Sequence, residues 1–406
     1  MRRIVAVYRD SVAGLPSAAW LLSTGLLVNR AGTMVLPFLA LYLTEGRGLG
    51  MVEAGSLVGL YGVGAMAGSW VGGLASDRLG TLWTQVASLL ASGALFLAVP
   101  ACGSLLSLAA VLFAASTAAE AFRPAVMSAM AGVVPPELAP RGFALLRQAA
   151  NLGMAIGPAV GGMLAKIDFV WLFLCEAATC WAAAAVLALG ARHLALAPRT
   201  AAGGGNRKGI SPWKDGPFLA LVALVVVLVA AFFQLWTTVP LYLRETYALD
   251  KDLIGALFAL NALLILVFEL PLIRAIERRR RLPLIGAGAL AICVGLAILP
   301  LGRTVAWAAL SIVVWTLGEM LALPLLNVVV AERAGPGLTG RYMGVYTLAF
   351  SVAFVVAPLA GTRMYEGVGP DALWASIGLL GVVLGAWALV LEPHLDKQRA
   401  AELDTP

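Results

Sequence analysis

Apolar residues in this chain run in blocks too long for one face of a soluble helix. Each block holds about twenty residues or more with few charges, the length a helix needs to cross the hydrocarbon of a bilayer. The pattern predicts twelve spans. Six run over 16–44, 51–76, 82–101, 104–133, 141–165 and 168–190, and six over 216–244, 251–277, 282–302, 304–333, 339–365 and 370–392. Polar residues collect in the short joints. The exception is 191–215, whose Ala201-Ala202-Gly203-Gly204-Gly205-Asn206-Arg207-Lys208 reads as a flexible linker. The predicted organisation is a six-helix bundle over 1–190, a linker over 191–215, and a second six-helix bundle with a short tail over 216–406.

The second half repeats the first at an offset of 200 residues. Leu41-Tyr42-Leu43 with Glu45 recurs as Leu241-Tyr242-Leu243 with Glu245, and Gly55 recurs as Gly255. Asp77-Arg78 matches Glu277-Arg278, and Arg141 and Gly161 match Arg341 and Gly361. Pro100, Pro124, Pro136 and Pro158 match Pro300, Pro324, Pro336 and Pro358, where chance would give about half a coincidence. Two parallel bundles related by an axis along the membrane normal are an architecture of secondary transporters.

Composition agrees. Hydrophobic residues make up 61% of the chain and charged residues 12%, against about 25% charge in soluble domains. The net charge of +6 is spread over short loops, not gathered into a patch for nucleic acid. With both termini inside, the inner segments carry nineteen Lys and Arg and the outer loops six. That bias predicts cytoplasmic termini. The first apolar block is too long for a cleaved signal and reads as an uncleaved span. Cys102, Cys175, Cys180 and Cys293 lie in or beside apolar segments without metal-type spacing, so neither a disulfide nor a structural metal is expected.

Local motifs add a family resemblance. Gly73-Leu74-Ala75-Ser76-Asp77-Arg78-Leu79-Gly80, between spans 2 and 3, resembles the G-x3-D-R-x-G loop of the major facilitator superfamily. That resemblance makes Gly73, Asp77, Arg78 and Gly80 a cytoplasmic gate. The basic pair that usually follows is replaced by Thr81-Leu82-Trp83. In span 5, Gly153, Gly157, Pro158, Gly161 and Gly162 are similar to the G-x3-G-P-x2-G-G pattern of that superfamily's drug/proton antiporters. Glycines at this spacing let helices approach closely, and Pro158 is expected to bend the span. The resemblance covers essentially the whole chain and implies an all-α polytopic membrane protein. It implies twelve transmembrane helices in two bundles about a pseudo-two-fold axis, with spans 1, 4, 7 and 10 around a central cavity. The chain faintly resembles proton-coupled peptide transporters too, but lacks the acidic residues of their E-x-x-E-R cluster before Arg30.

A charge inside hydrocarbon is costly, so each one is a functional candidate. Arg30 of span 1, Glu120 and Arg123 of span 4 and Glu319 of span 10 fall near mid-membrane, with Gln234 of span 7 at similar depth. Arg147 and Asn151 of span 5 and Glu269 of span 8 lie nearer one end, and Glu176 of span 6 reads as structural. Glu120 and Glu319 are near-symmetric, and a membrane carboxylate that alternates between a proton and a cation is the simplest antiport device. Arg30 is expected to pair with one of them or to hold an anionic substrate group. Phe38, Phe122, Phe233, Trp236 and Trp315 are weaker candidates for contact with a lipophilic substrate.

The expected function is secondary transport: proton-coupled efflux of lipophilic or cationic small molecules by alternating access. The competing expectation is a specific solute, such as a peptide, an amino acid or another organic anion, with Arg30 as its contact. An enzyme is excluded, because no histidine lies in a span and aspartates occur only at span ends. No phosphate-binding GxxxxGK[ST] loop occurs either. No cofactor is expected beyond a proton gradient, and the partners are a small-molecule substrate and the lipid bilayer, not nucleic acid. A monomer in a bacterial inner membrane is expected, multi-pass and with both termini cytoplasmic.

Overall fold

The computed structural model describes residues 14–135, 138–190, 211–276, 279–334 and 339–403. Most of the linker, Pro136, Pro336, Glu277, Arg278 and both extreme termini lie outside the described residues. Eleven helices among the described residues are long and apolar enough to cross a membrane. Ala139–Ile167 is a further helix of 29 residues, which completes the twelve spans. Arg141, Arg147, Gln148 and Asn151 shorten its apolar stretch. It continues as helix through Pro158.

The chain divides into two compact units. One contains Met1–Ala201 with Leu243–Leu266, and the other contains Ala202–Tyr242 with Val267–Pro406. The first unit thus includes the start of span 8, Lys251–Ile276.

Spans 1 and 7, expected as uninterrupted helices, are both broken. Span 1 runs as Ser17–Ala31, unwinds over Gly32 to Met34, and resumes as Val35–Leu41. Its end is the wider turn Tyr42–Gly46. Span 7 runs as Gly216–Phe232, tightens over Phe233–Trp236, and resumes as Thr238–Glu245. Each second piece carries a proline at its third position, Pro37 and Pro240. A helix tolerates proline best in its first turn, where an N–H has no helical partner anyway.

Two packing devices fix the first unit. Gly64, Gly68 and Gly72 of span 2, Met51–Leu79, press against the backbone carbonyls of Phe113, Thr117 and Ala121 of span 4, Leu105–Val133. The Thr117 hydroxyl donates to the Gly64 carbonyl at 3.0 Å. This stripe sets the register of Glu120. At one end of the unit, Glu45 accepts from Arg244 at 2.8 Å and pairs with Lys251 at 2.9 Å. Lys166 pairs with Asp250 at 3.0 Å and Asp252 at 3.2 Å. Lys251 also stands 3.9 Å over the Phe169 ring. Beneath this network Gly162 and Gly255 are in backbone contact.

Candidate functional site

The polar centre of the first unit is built around the break in span 1. Arg30 sits in the last turn before the break, where a cation complements the helix C-terminus. Span 5 lies against it. A Cβ on Gly153 would meet the Arg30 Cβ at 2.5 Å, and one on Gly157 would meet the Thr33 carbonyl oxygen at 2.8 Å. Gly161 faces Met34 and Phe38. The antiporter-like glycines therefore form the surface on which the broken span rests, and Gly162 packs against the start of span 8.

Glu176 closes the break from span 6, Val170–Gly190. Its Oε2 accepts the N–H of Val35 at 2.7 Å and of Met34 at 3.2 Å. These donors begin the second half of span 1, where a carboxylate complements the helix dipole. Tyr61 of span 2, also buried, lies within electrostatic range of Arg30, Glu120 and Glu176. The surroundings of Tyr61 thus hold two carboxylates against one guanidinium. Asn29, beside Arg30, donates to the Cys180 sulfur at 3.6 Å.

Of the expected site residues, the structure gathers Arg30 and Glu120 here. Glu120 is half-buried, whereas Arg123 is exposed. On span 5 Arg147 is exposed, while Asn151 is half-buried. The Nδ2 of Asn151 and the Oε1 of Gln148 are buried with no hydrogen-bond partner among the described residues. Such unspent polar atoms are rare in native interiors and suit a ligand or water.

In the second unit Glu319 is half-buried in span 10, Val305–Ala334, and Glu269 is buried in span 8. Gln234, expected as a binding group, has its amide engaged at the break in span 7. It donates to the Ala357 carbonyl at 2.9 Å and accepts from the Thr238 hydroxyl at 2.8 Å. It also packs on Gly361. Among the aromatic candidates, Phe38, Phe122 and Trp315 are fully buried packing groups. Phe233 is half-buried, with its ring 4.9 Å from that of Phe354 in a T-shaped pair.

Asp77 and Arg78 are exposed at the end of span 2. Gly73 and Asp77 line a hollow between spans 2 and 4 with Trp70, Leu74, Pro124 and Ser128. Gly80 turns the chain into span 3, Thr81–Ala98, at φ +85°, a conformation open mainly to glycine.

Sequence reasoning missed the capping role of Glu176 and the two breaks. Pro37 and Pro240 were their signal. The Gly64-x3-Gly68-x3-Gly72 stripe was likewise legible as a close helix contact.

The family model of the Major Facilitator Superfamily matches residues 21–358, and the chain belongs to that family. It is a multi-pass membrane transporter and not an enzyme. The chain is 25% identical to the MFS-type transporter YqjV of Bacillus subtilis (strain 168), covering 91% of this chain and 93% of that one. It is 24% identical to a Na(+), Li(+), K(+)/H(+) antiporter of Planococcus maritimus, over 89% of this chain and 91% of the relative. It is also 24% identical to the multidrug resistance protein MdtH of Aeromonas hydrophila, over 89% and 92%. Among solved structures, the peptide transporter POT in complex with sulfate superposes with a TM-score of 0.80 at 17% identity, covering 96% of this chain and 98% of that one. At that identity the likeness shows the fold.

Proposed function

We propose that this protein is a proton-coupled exporter of lipophilic cations that works by alternating access. The observation that carries this reading is that Glu120, Glu176 and Arg30 all lie around the buried Tyr61 of span 2. A proton or a cationic substrate completes the charge balance there, and the two compete for it. Relatives named as a cation/proton antiporter and as a multidrug resistance protein support the same direction. Glu319 is the counterpart proton site of the second repeat, and Arg123, Arg147, Asn151 and Glu269 are further proton- or substrate-binding residues. An anionic or peptide solute held by Arg30 has less support, because Glu176 already lies in the electrostatic reach of Arg30.

In this reading the two bundles are 1–190 and 216–406, joined by a cytoplasmic linker. The monomer lies in a bacterial inner membrane with both termini in the cytoplasm. Gly73, Asp77, Arg78 and Gly80 form the cytoplasmic gate. The test is substrate-evoked proton movement in energised everted vesicles. Lipophilic cations should release protons from vesicles carrying wild type and not from those carrying Glu120→Gln. No release with any cation in wild type would reject proton antiport.

A further inference from the structure

Glu176 does more than the sequence assigns to it. It is 6% exposed, it lies on a span expected to be peripheral, and its Oε2 takes the first two N–H groups of the second half of span 1. Inside a membrane those N–H groups must be bonded, but the bond does not need a charge. The repeat makes the comparison internally. The break in span 7 is tied by Gln234, a neutral amide bonded to the Ala357 carbonyl. The break in span 1 is tied by a carboxylate. The titratable and charged groups facing Glu176 are Arg30 of span 1, Tyr61 of span 2 and Cys180 on its own span, with Glu120 of span 4 reaching Tyr61 as well.

We propose that Glu176 is a proton-binding positioning residue of the transport cycle. As the carboxylate it clamps the second half of span 1 and attracts Arg30. When a proton from water adds to one of its oxygens, an O–H bond forms and the charge that holds both N–H groups and attracts Arg30 is lost. Release of that proton restores the clamp. Proton binding is thereby tied to the geometry of the broken span. The inference rests on the proton-coupled reading.

The test is infrared absorption of protonated carboxyl groups in the full-length protein in detergent, titrated over about pH 5 to 9. Wild type, Glu176→Gln and Glu120→Gln are compared, with melting temperatures as a check on folding. Glu120 and Glu319 titrate in this reading too, so the quantity read is the wild-type minus Glu176→Gln difference. A titrating carboxyl component in it is the expected result. A difference spectrum with no titrating carboxyl component overturns the proposal. Should Glu176→Gln fail to fold, Glu176→Asp keeps the acid on a shorter arm, and its band midpoint must move; an unmoved midpoint overturns the proposal. Vesicle proton release separates the two readings. Release in wild type with no titrating component in the wild-type minus Glu176→Gln difference rejects the role of Glu176 and leaves coupling intact. A titrating component in that difference without any release supports titration at Glu176 and rejects antiport.

Discussion

Gly157 stands against the backbone of Thr33: a Cβ at 157 would lie 2.8 Å from that carbonyl oxygen and 3.1 Å from that of Arg30. The contact joins the antiporter-like glycine pattern of span 5 to the break that carries Arg30. Backbone cannot yield as a flexible side chain does, so added atoms must push the spans apart. Gly157→Val is expected to lower stability by about 1–3 kcal/mol, the usual cost of overpacking, and to abolish transport. Gly73→Ala is the control, because no atom lies within 4 Å of a Cβ there. Its melting temperature should match wild type, so any loss of transport reports on the gate alone. Melting in detergent and vesicle transport check both.

Gln234 is expected to act through structure. Gln234→Ala would remove the side-chain hydrogen bonds to the Ala357 carbonyl and from the Thr238 hydroxyl. Each lost hydrogen bond costs about 0.5–1.5 kcal/mol. The variant should melt earlier, yet retain the substrate affinity of wild type in whatever fraction folds. A normal melting temperature with weakened substrate binding would instead make Gln234 a binding group.

Asp215 offers a pH test outside the spans. It caps the start of span 7, accepting from the Phe218 N–H at 3.1 Å, from Arg333 at 2.7 and 2.8 Å, and from the Tyr342 hydroxyl at 3.0 Å. Burial pushes its carboxyl up, but Arg333, the Phe218 N–H and Tyr342 together outweigh this and hold it below its usual value. A depressed carboxyl stabilises the fold above its unfolded value, about 3.9, and loses that contribution as pH falls through the folded value. Asp215→Asn removes the carboxylate charge paired with the buried Arg333, a loss of about 3–5 kcal/mol. The deficit should be constant from neutral pH down to about pH 5 and shrink only in stronger acid. Melting curves across that range check it.

The end network of the first unit is more exposed. Lys251 and Glu45 have side chains 15% and 31% exposed, and such pairs are worth about 0.2–1 kcal/mol. A double-mutant cycle on Glu45→Gln and Lys251→Gln should return a coupling in that range that weakens with salt. Each single change removes a further contact as well, Arg244 from Glu45 and the Phe169 ring from Lys251, which the cycle subtracts.

Much of this was legible in the chain. Span count and repeat followed from apolar blocks and matched prolines, because hydrocarbon thickness leaves little freedom in helix length. Arg30 and Glu120 were identifiable because a charge in hydrocarbon needs a reason. The breaks were not read, although Pro37 and Pro240 marked them, because apolar composition is the same in a broken helix as in a straight one. Glu176 was assigned to structure alone because its donors, Met34 and Val35, are 142 and 141 residues away. For Gln234, depth in the membrane was visible, but its hydrogen-bond partner on span 11, Ala357, was not.

The central claim is that a proton and a lipophilic cation compete for the carboxylates around Arg30. The direct measurement is equilibrium binding of tetraphenylphosphonium to the full-length protein in lipid nanodiscs at a series of pH values. Wild type should bind more weakly as pH falls, approaching a tenfold loss per unit if one proton is displaced. Glu120→Gln should bind weakly with little dependence on pH. Wild-type affinity that is the same at every pH, or unchanged by Glu120→Gln, would contradict the account.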